Sequence, residues 1–262
     1  RGAAAPRAER APWFDARELR DERRDQKLGL GSSAAILVAS LAALELAADP
    51  AVDDASLAGR VFAPAFAAHR AAQGGGSGVD VAASAFGGVL LFRGEPRVEP
   101  FSLPPSLFFQ VWASSRPAST ADMLARVADA KATRPAAYRA VIDRLSRAAE
   151  GAAQAKNGAA YLDACRAQLE GLQELGNLSG APIVTEETRA LGAALSSESS
   201  IVLPAGAGGG DIVLWVSTAP PSDEQRDPPG EPLDFSLLPI SLGAKGVHRA
   251  RPWRAATDEA FS

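Results

Sequence analysis

The chain has 262 residues, of which 47% are hydrophobic and 22% charged, and its formal net charge is -4. That length suits one large or two modest domains around a buried core, and the composition is that of an ordinary globular protein. The negative balance argues against general nucleic-acid binding, one cysteine (Cys165) excludes an internal disulfide and fits a reducing cytosol, and no apolar run is long enough for a membrane span.

Residue 1 is Arg, so the chain is expected to start downstream of its natural beginning. The first 26 residues are charged and poorly patterned: a surface segment, with at most a short polar helix over 14–24 and no strand before Lys27. The stretch 27–40, KLGLGSSAAILVAS, is different. Gly29 and Gly31 permit backbone angles that side chains forbid, Ser32 and Ser33 stand where a helix N-cap is wanted, and an apolar helix over 33–48 follows. The first N–H groups of such a helix lack partners, and the dipole favours an anion in front of them. With Lys27 before the turn, the stretch reads as a phosphate-binding loop or as a capped entry to a core helix. A hydroxyl of Ser32 or Ser33 is placed to reach a phosphate oxygen or its magnesium. A Walker loop is disfavoured because no lysine follows the last glycine, and a dinucleotide fingerprint because Ala34 stands at the third glycine position.

The helix over 33–48 is apolar on nearly all sides and is expected to be buried. A second helix is expected over 54–73, with Leu57, Val61, Phe62 and Phe66 on one face and a kink or interruption at Pro64. His69 near its end reads as a surface or capped residue. With His248 the only other histidine, a histidine metal site or catalytic triad is hard to assemble. Residues 74–88, GGGSGVDVAASAFGG, hold one carboxylate, Asp80, in an otherwise uncharged run. Asp80 either caps the next helical turn or is a functional carboxylate that accepts or orients the proton of an attacking hydroxyl. A strand over 89–92 follows.

Polar, proline-containing residues 93–106 mark the expected domain boundary. LFFQVWA at 107–113 reads as a buried strand, and SSRPAST at 114–120 leads into a helix from about 121 capped by Ser119 or Thr120. Residues 135–176 give two helical patterns interrupted near Gly151 and at Asn157-Gly158, and Thr185 is a good N-cap for a further helix. Next comes LPAGAGGGD at 203–211, feeding a strand over 212–216. Its four glycines fit a tight strand entry or a turn that offers backbone N–H groups to an oxyanion. A polar loop over 219–232 and closing strands over 237–242 and 246–249 complete the reading.

GLGSSAA at 29–35 resembles the second motif of the GHMP kinases, the family of galactokinase, homoserine kinase, mevalonate kinase and phosphomevalonate kinase, where this loop wraps the nucleotide phosphates. GSGVDVA at 76–82 resembles the segment carrying the catalytic aspartate of phosphomevalonate kinases, and 203–211 resembles their third motif, commonly KPSGAGGGD. Leu203 and Ala205 replace the lysine and serine of that motif. The tryptophan-containing strand and its basic, hydroxyl-rich turn are similar too. The resemblance covers 26–249, and the family's N-terminal first motif, a strand segment with a lysine that pairs with the catalytic aspartate, is missing.

The resemblance implies an α+β, two-domain GHMP kinase fold with an apparently incomplete N-terminal part, divided into residues 1–104 and 105–262. It implies ATP and Mg2+ as cofactors and phosphoryl transfer to 5-phosphomevalonate, giving diphosphomevalonate on the mevalonate route to isoprenoids. The alternatives are another GHMP small-molecule kinase such as mevalonate kinase, or a non-catalytic nucleotide-binding homologue. Catalysis would fall to Asp80 and Lys27, and nucleotide binding to Gly29, Leu30, Gly31, Ser32, Ser33 and Ala34, with Ser32 and Ser33 at the metal. The acceptor would meet Ser77, Gly78, Arg116, Ser119, Thr120, Gly206, Ala207, Gly208 and Gly209. The expected partner is a small-molecule phosphate acceptor, without nucleic acid or membrane, for a cytoplasmic monomer or homodimer.

Overall fold

The computed structural model describes residues 20–21, 26–27, 30–73, 76–93, 97–114, 120–226 and 235–249. Strands β1 (Arg20–Asp21) and β2 (Gln26–Lys27) pair antiparallel, with Arg20 opposite Lys27. This corrects the expectation of no strand before Lys27, because a two-residue strand is too short to show any alternation.

Helix α1 (Ser32–Ala48) is followed by α2 (Asp54–Gln73) and α3 (Val79–Phe86). The start of α2 is fixed by Asp53, whose Oδ1 accepts the Ser56 N–H at 2.8 Å and whose Oδ2 accepts the Ser56 hydroxyl at 3.0 Å. These bonds favour the ionised form and hold the Asp53 carboxyl below its usual range. Pro64 lies inside α2 without interrupting it. Burial of α1 is narrower than expected: Ala34, Val38 and Ala42 form a stripe at intervals of four, while Leu44 is 66% exposed. A helix packed against neighbours on one side buries one stripe, whatever its overall composition. That stripe meets Leu57, Val61 and Ala65 of α2 and Val81, Ala82 and Ala85 of α3. Each fully buried Leu or Val there contributes about 1.5–3 kcal/mol.

The hairpin β3 (Leu90–Arg93) and β4 (Arg97–Pro100) packs Leu90, Phe92 and Val98 onto this core. The polar segment read as a boundary thus contains a strand, its proline placed at the strand end where no ladder donor is required. Arg93 joins Glu150 through two hydrogen bonds of 2.8 and 3.3 Å.

A four-stranded antiparallel sheet follows, in the order β6 (Ser200–Pro204), β7 (Ile212–Ser217), β5 (Phe108–Ser114), β8 (Phe235–Leu238). Alternation sorts its side chains. Trp112, Val202, Val213, Trp215 and Phe235 face α7 (Glu186–Leu195) through Leu191 and Leu195, and Trp215 Nε1 donates to the Leu195 carbonyl at 3.1 Å. Ile201 and Val216 face α6 (Gly158–Ser179) through Leu162 and Cys165. Burial pushes the Cys165 thiol up to about 11, consistent with a small core residue.

Helices α4 (Thr120–Thr133) and α5 (Pro135–Gln154) join α6 around Met123, Val141 and Leu175. The break expected near Gly151 does not occur, since a β-carbon there would lie 3.6 Å from that of Ala164, ordinary packing distance. The break at Asn157 does occur, its side chain accepting the Ala160 N–H at 2.9 Å. A short helix, α8 (Asp223–Arg226), lies within the expected polar loop.

The closing strands need correction. β8 ends at Leu238, before Pro239, which has no N–H to continue a ladder. Residues 244–249 form no strand and lie across α3 instead. The Val247 N–H donates to the carbonyls of Ser84 and Ala85 at 3.0 and 3.1 Å, and the Gly88 N–H donates to the Ala244 carbonyl at 2.7 Å. Val247 packs on the α1–α3 core, and the Arg249 N–H donates to Asp54 Oδ1 at 3.0 Å.

Candidate functional site

Both glycine-led helices begin in the same way. Gly31 (φ 77°) caps α1 and Gly78 (φ 74°) caps α3, each left-handed and without a side-chain cap. The serine N-cap expected for α1 is therefore corrected: Ser32 is the first helical residue. Glycine occupies the cap because the left-handed angle is required there. The first turn of α1 contains no acidic residue, so no carboxylate of the helix itself competes for the positive end of its dipole.

The two glycines also pack closely. A β-carbon on Gly31 would lie 3.2 Å from Asp80 Cβ, and one on Gly78 would lie 2.3 Å from a ring carbon of Phe66. The first contact places the entrance of α1 against Asp80, in the first turn of α3. The Asp80 side chain is 35% exposed, so it is accessible yet anchored. Its Oδ1 accepts the Val81 N–H at 3.0 Å, and its Oδ2 lies 3.3 Å from Nε2 of His69. His69 is the residue missed from the sequence: its side chain is 7% exposed, not a surface group. The available signal was the spacing of four that places it on the α2 stripe with Leu57, Val61 and Ala65.

Among the other expected site residues, Leu30, Ser33 and Ser77 are exposed, Ser32 is half-buried and Ala34 is buried in the core. Lys27 ends β2 and Thr120 opens α4. Gly29, Arg116 and Ser119 lie outside the described residues.

The third glycine turn is held elsewhere. Gly206, Gly208, Gly209 and Gly210 all have φ between 61° and 91°. A β-carbon on Gly208 would lie 2.4 Å from the Ile183 carbonyl oxygen, and the Gly209 N–H donates to that oxygen at 3.0 Å. Thr185, which caps α7 by accepting the Thr188 N–H at 3.1 Å, stands 3.2 Å from the position of a β-carbon on Gly210. Gly206 and Ala207 are exposed at the tip of the turn. Thr185 also lines a cleft of about 540 Å³ with Asn177, Gly180, Glu186, Glu187 and Arg189. The described contacts thus unite Gly31, His69, Gly78 and Asp80, and tie the third turn to residues 183–185. Leu203 packs on the Leu162–Cys165 side of the sheet and Ala205 on Val111, Ala113 and Ile212, so both departures from the third motif make apolar contacts.

Among the described residues no three His, Cys, Asp or Glu side chains gather as a metal cage. A magnesium ion held mainly by nucleotide phosphates and water needs only one or two protein oxygens, and the Asp80 carboxylate or the Ser32 and Ser33 hydroxyls fit that demand. Among the described residues no helix is long and apolar enough to cross a membrane.

Known proteins share parts of this sequence and its fold. Residues 19–88 match the family model of the GHMP kinases N terminal domain. A mevalonate kinase of Archaeoglobus fulgidus is 37% identical over 117 residues, which are 45% of this chain and 38% of that protein, so the chain spans well under half the length of this curated relative. The fold is shared with the Lin0012 protein of Listeria innocua at a TM-score of 0.73, with 22% identity over 86% of this chain and 70% of that one. It is shared also with Streptococcus pneumoniae phosphomevalonate kinase, solved with phosphomevalonate and AMPPNP, at a TM-score of 0.58, with 20% identity over 78% of this chain and 65% of that one. The expected α+β GHMP kinase fold and superfamily resemblance are both supported.

Proposed function

We propose, from the GHMP superfamily character these findings support, that the chain is an ATP-dependent small-molecule kinase acting on 5-phosphomevalonate to give diphosphomevalonate. The observation that carries this reading is the contact of Gly31 with Asp80, which sets a helix N-terminus without a side-chain cap beside an accessible carboxylate. An anion-binding helix end next to a carboxylate suits phosphoryl transfer, in which positioning and charge stabilisation do most of the work.

In this reading Gly29, Leu30, Gly31 and the amide groups of Ser32, Ser33 and Ala34 cradle the nucleotide phosphates, with Lys27 adding positive charge. Magnesium bound with ATP neutralises phosphate charge, and Ser32, Ser33 or Asp80 would supply its protein oxygens. Asp80 orients the acceptor oxygen. For a phosphate acceptor, already largely deprotonated at neutral pH, that orientation matters more than proton removal. Ser77 and Gly78 border the acceptor, Arg116, Ser119 and Thr120 hold its phosphate, and the N–H groups of the turn formed by Gly206, Ala207, Gly208 and Gly209 receive its far end. The site would lie between units dividing near residue 104, in a cytoplasmic monomer or homodimer.

A mevalonate kinase is the second reading, favoured by the Archaeoglobus fulgidus relative. Magnesium-dependent ADP release, measured with phosphomevalonate and mevalonate offered separately, decides between them. Faster turnover of phosphomevalonate supports the first reading, and of mevalonate the second. Release with neither moves the chain to another acceptor or to nucleotide binding without turnover. Asp80→Asn is expected to lower kcat about 100-fold or more while leaving the KM for ATP within a few fold. Unchanged turnover in that variant removes Asp80 from the mechanism.

A further inference from the structure

We infer that His69 is a positioning residue for Asp80, an assignment that rests on the kinase reading for its catalytic consequence but on geometry for the pair itself. His69 Nε2 and Asp80 Oδ2 are 3.3 Å apart. The other carboxylate oxygen accepts the Val81 N–H at 3.0 Å, so each oxygen has a partner on the protein side. A carboxylate held at both oxygens has one orientation instead of several, and at Asp80 that orientation is set directly beside Gly31, whose missing β-carbon leaves 3.2 Å to Asp80 Cβ.

The two partners differ in how they are anchored. His69 is buried at the end of the apolar stripe of α2, whereas Asp80 is 35% exposed in the first turn of a helix of 8 residues. The histidine is thus the fixed member and the aspartate the one that needs fixing. Phe66, one turn before His69 on α2, lies against Gly78, so the α2 face that supplies the imidazole also seats the cap of α3. A carboxylate that must meet an acceptor within a few tenths of an ångström gains from a rigid second partner. Small misplacement in such sites costs about 100-fold in rate. In this assignment His69 acts without touching substrate: its buried Nε2, 3.3 Å from Asp80 Oδ2, restricts the directions open to the carboxylate, as outer partners do for other functional groups.

The test uses the full chain and three substitutions. His69→Leu keeps the bulk and removes the donor, whereas His69→Gln places an amide N–H close to where Nε2 stands. With the acceptor that the chain turns over, His69→Leu should lose about 10- to 100-fold in kcat with the KM for ATP within about twofold, and His69→Gln should recover most of it. In an Asp80→Asn background the His69→Leu loss should shrink to about twofold or less, because the two residues act as one unit. An equal loss in both backgrounds, or a His69→Leu protein as fast as the parent, overturns the inference. Imidazole 15N resonances give a readout without turnover: the His69 signals should report an Nε2-protonated, hydrogen-bonded ring that changes in Asp80→Ala. Signals identical with and without the carboxylate overturn the pairing. If the parent chain turns over no acceptor, the kinase reading fails, and the 15N result alone decides whether the pair exists.

Discussion

The consequences of the site's geometry are sharpest at single glycines. Gly31→Ala adds a side chain at φ 77° and sets its β-carbon 3.2 Å from that of Asp80. The left-handed angle alone costs about 1–2 kcal/mol. Lower thermal stability together with weaker binding of an ATP analogue, read by calorimetry, is the expected result. Gly59 supplies the control, for it lies in α2 with open space where a β-carbon would go. Gly59→Ala is expected to raise stability by about 1 kcal/mol, the helix-propensity difference, without altering nucleotide binding. A drop of the same size in both variants would show that the Gly31 conformation has no special role. The freedom of the backbone at Gly31 was legible in the sequence, but the cap itself was not: hydroxyl preference pointed to Ser32 or Ser33, and the left-handed angle decides for glycine. His69 was not legible either, because its partner lies eleven residues further on, across a turn, and no local pattern links an imidazole to a carboxylate at that separation.

For whole elements, legibility followed how local the deciding interaction is. The start of α7 was read correctly from Thr185 because the cap is made within three residues, to Thr188. The same side chain faces Gly210 of the third glycine turn, so helix start and turn share one anchor. Thr185→Ala should therefore cost about 1 kcal/mol, while Thr185→Ser, which keeps the accepting oxygen, should cost less. Chemical denaturation of the two variants checks this, and equal midpoints would remove the cap from the account. The failures were of the opposite kind. The path of residues 244–249 depends on partners more than 100 residues away, α3 among them, and apolar alternation says nothing about which partner a segment finds. Gly151 looked like a helix end, but packing of α5 on α6 carries the helix through it. The breadth of burial on α1 was misjudged because its composition is apolar all round while its neighbours occupy one side.

Across the molecule, the helix bearing Asp80 is completed by distant chain. Val247 packs on the α1–α3 core and its N–H reaches the carbonyls of Ser84 and Ala85. Val247→Asp places a charge against that core and is expected to destabilise by about 1–3 kcal/mol. Hydrogen exchange should show faster exchange at α3 amides in this variant and little change at β7. Uniform acceleration in α3 and β7 would mean that the substitution lowers global stability without loosening α3 selectively. The same contact sets an order of events during synthesis. Ser84 and Ala85 leave the ribosome more than 150 residues before Val247 does. At ordinary elongation rates of about 5–20 residues per second, that is a wait of roughly 8–30 s. Throughout this interval the Ser84 and Ala85 carbonyls lack the Val247 N–H they accept in the folded chain, so the far end of the helix that carries Asp80 is completed well after its first turn.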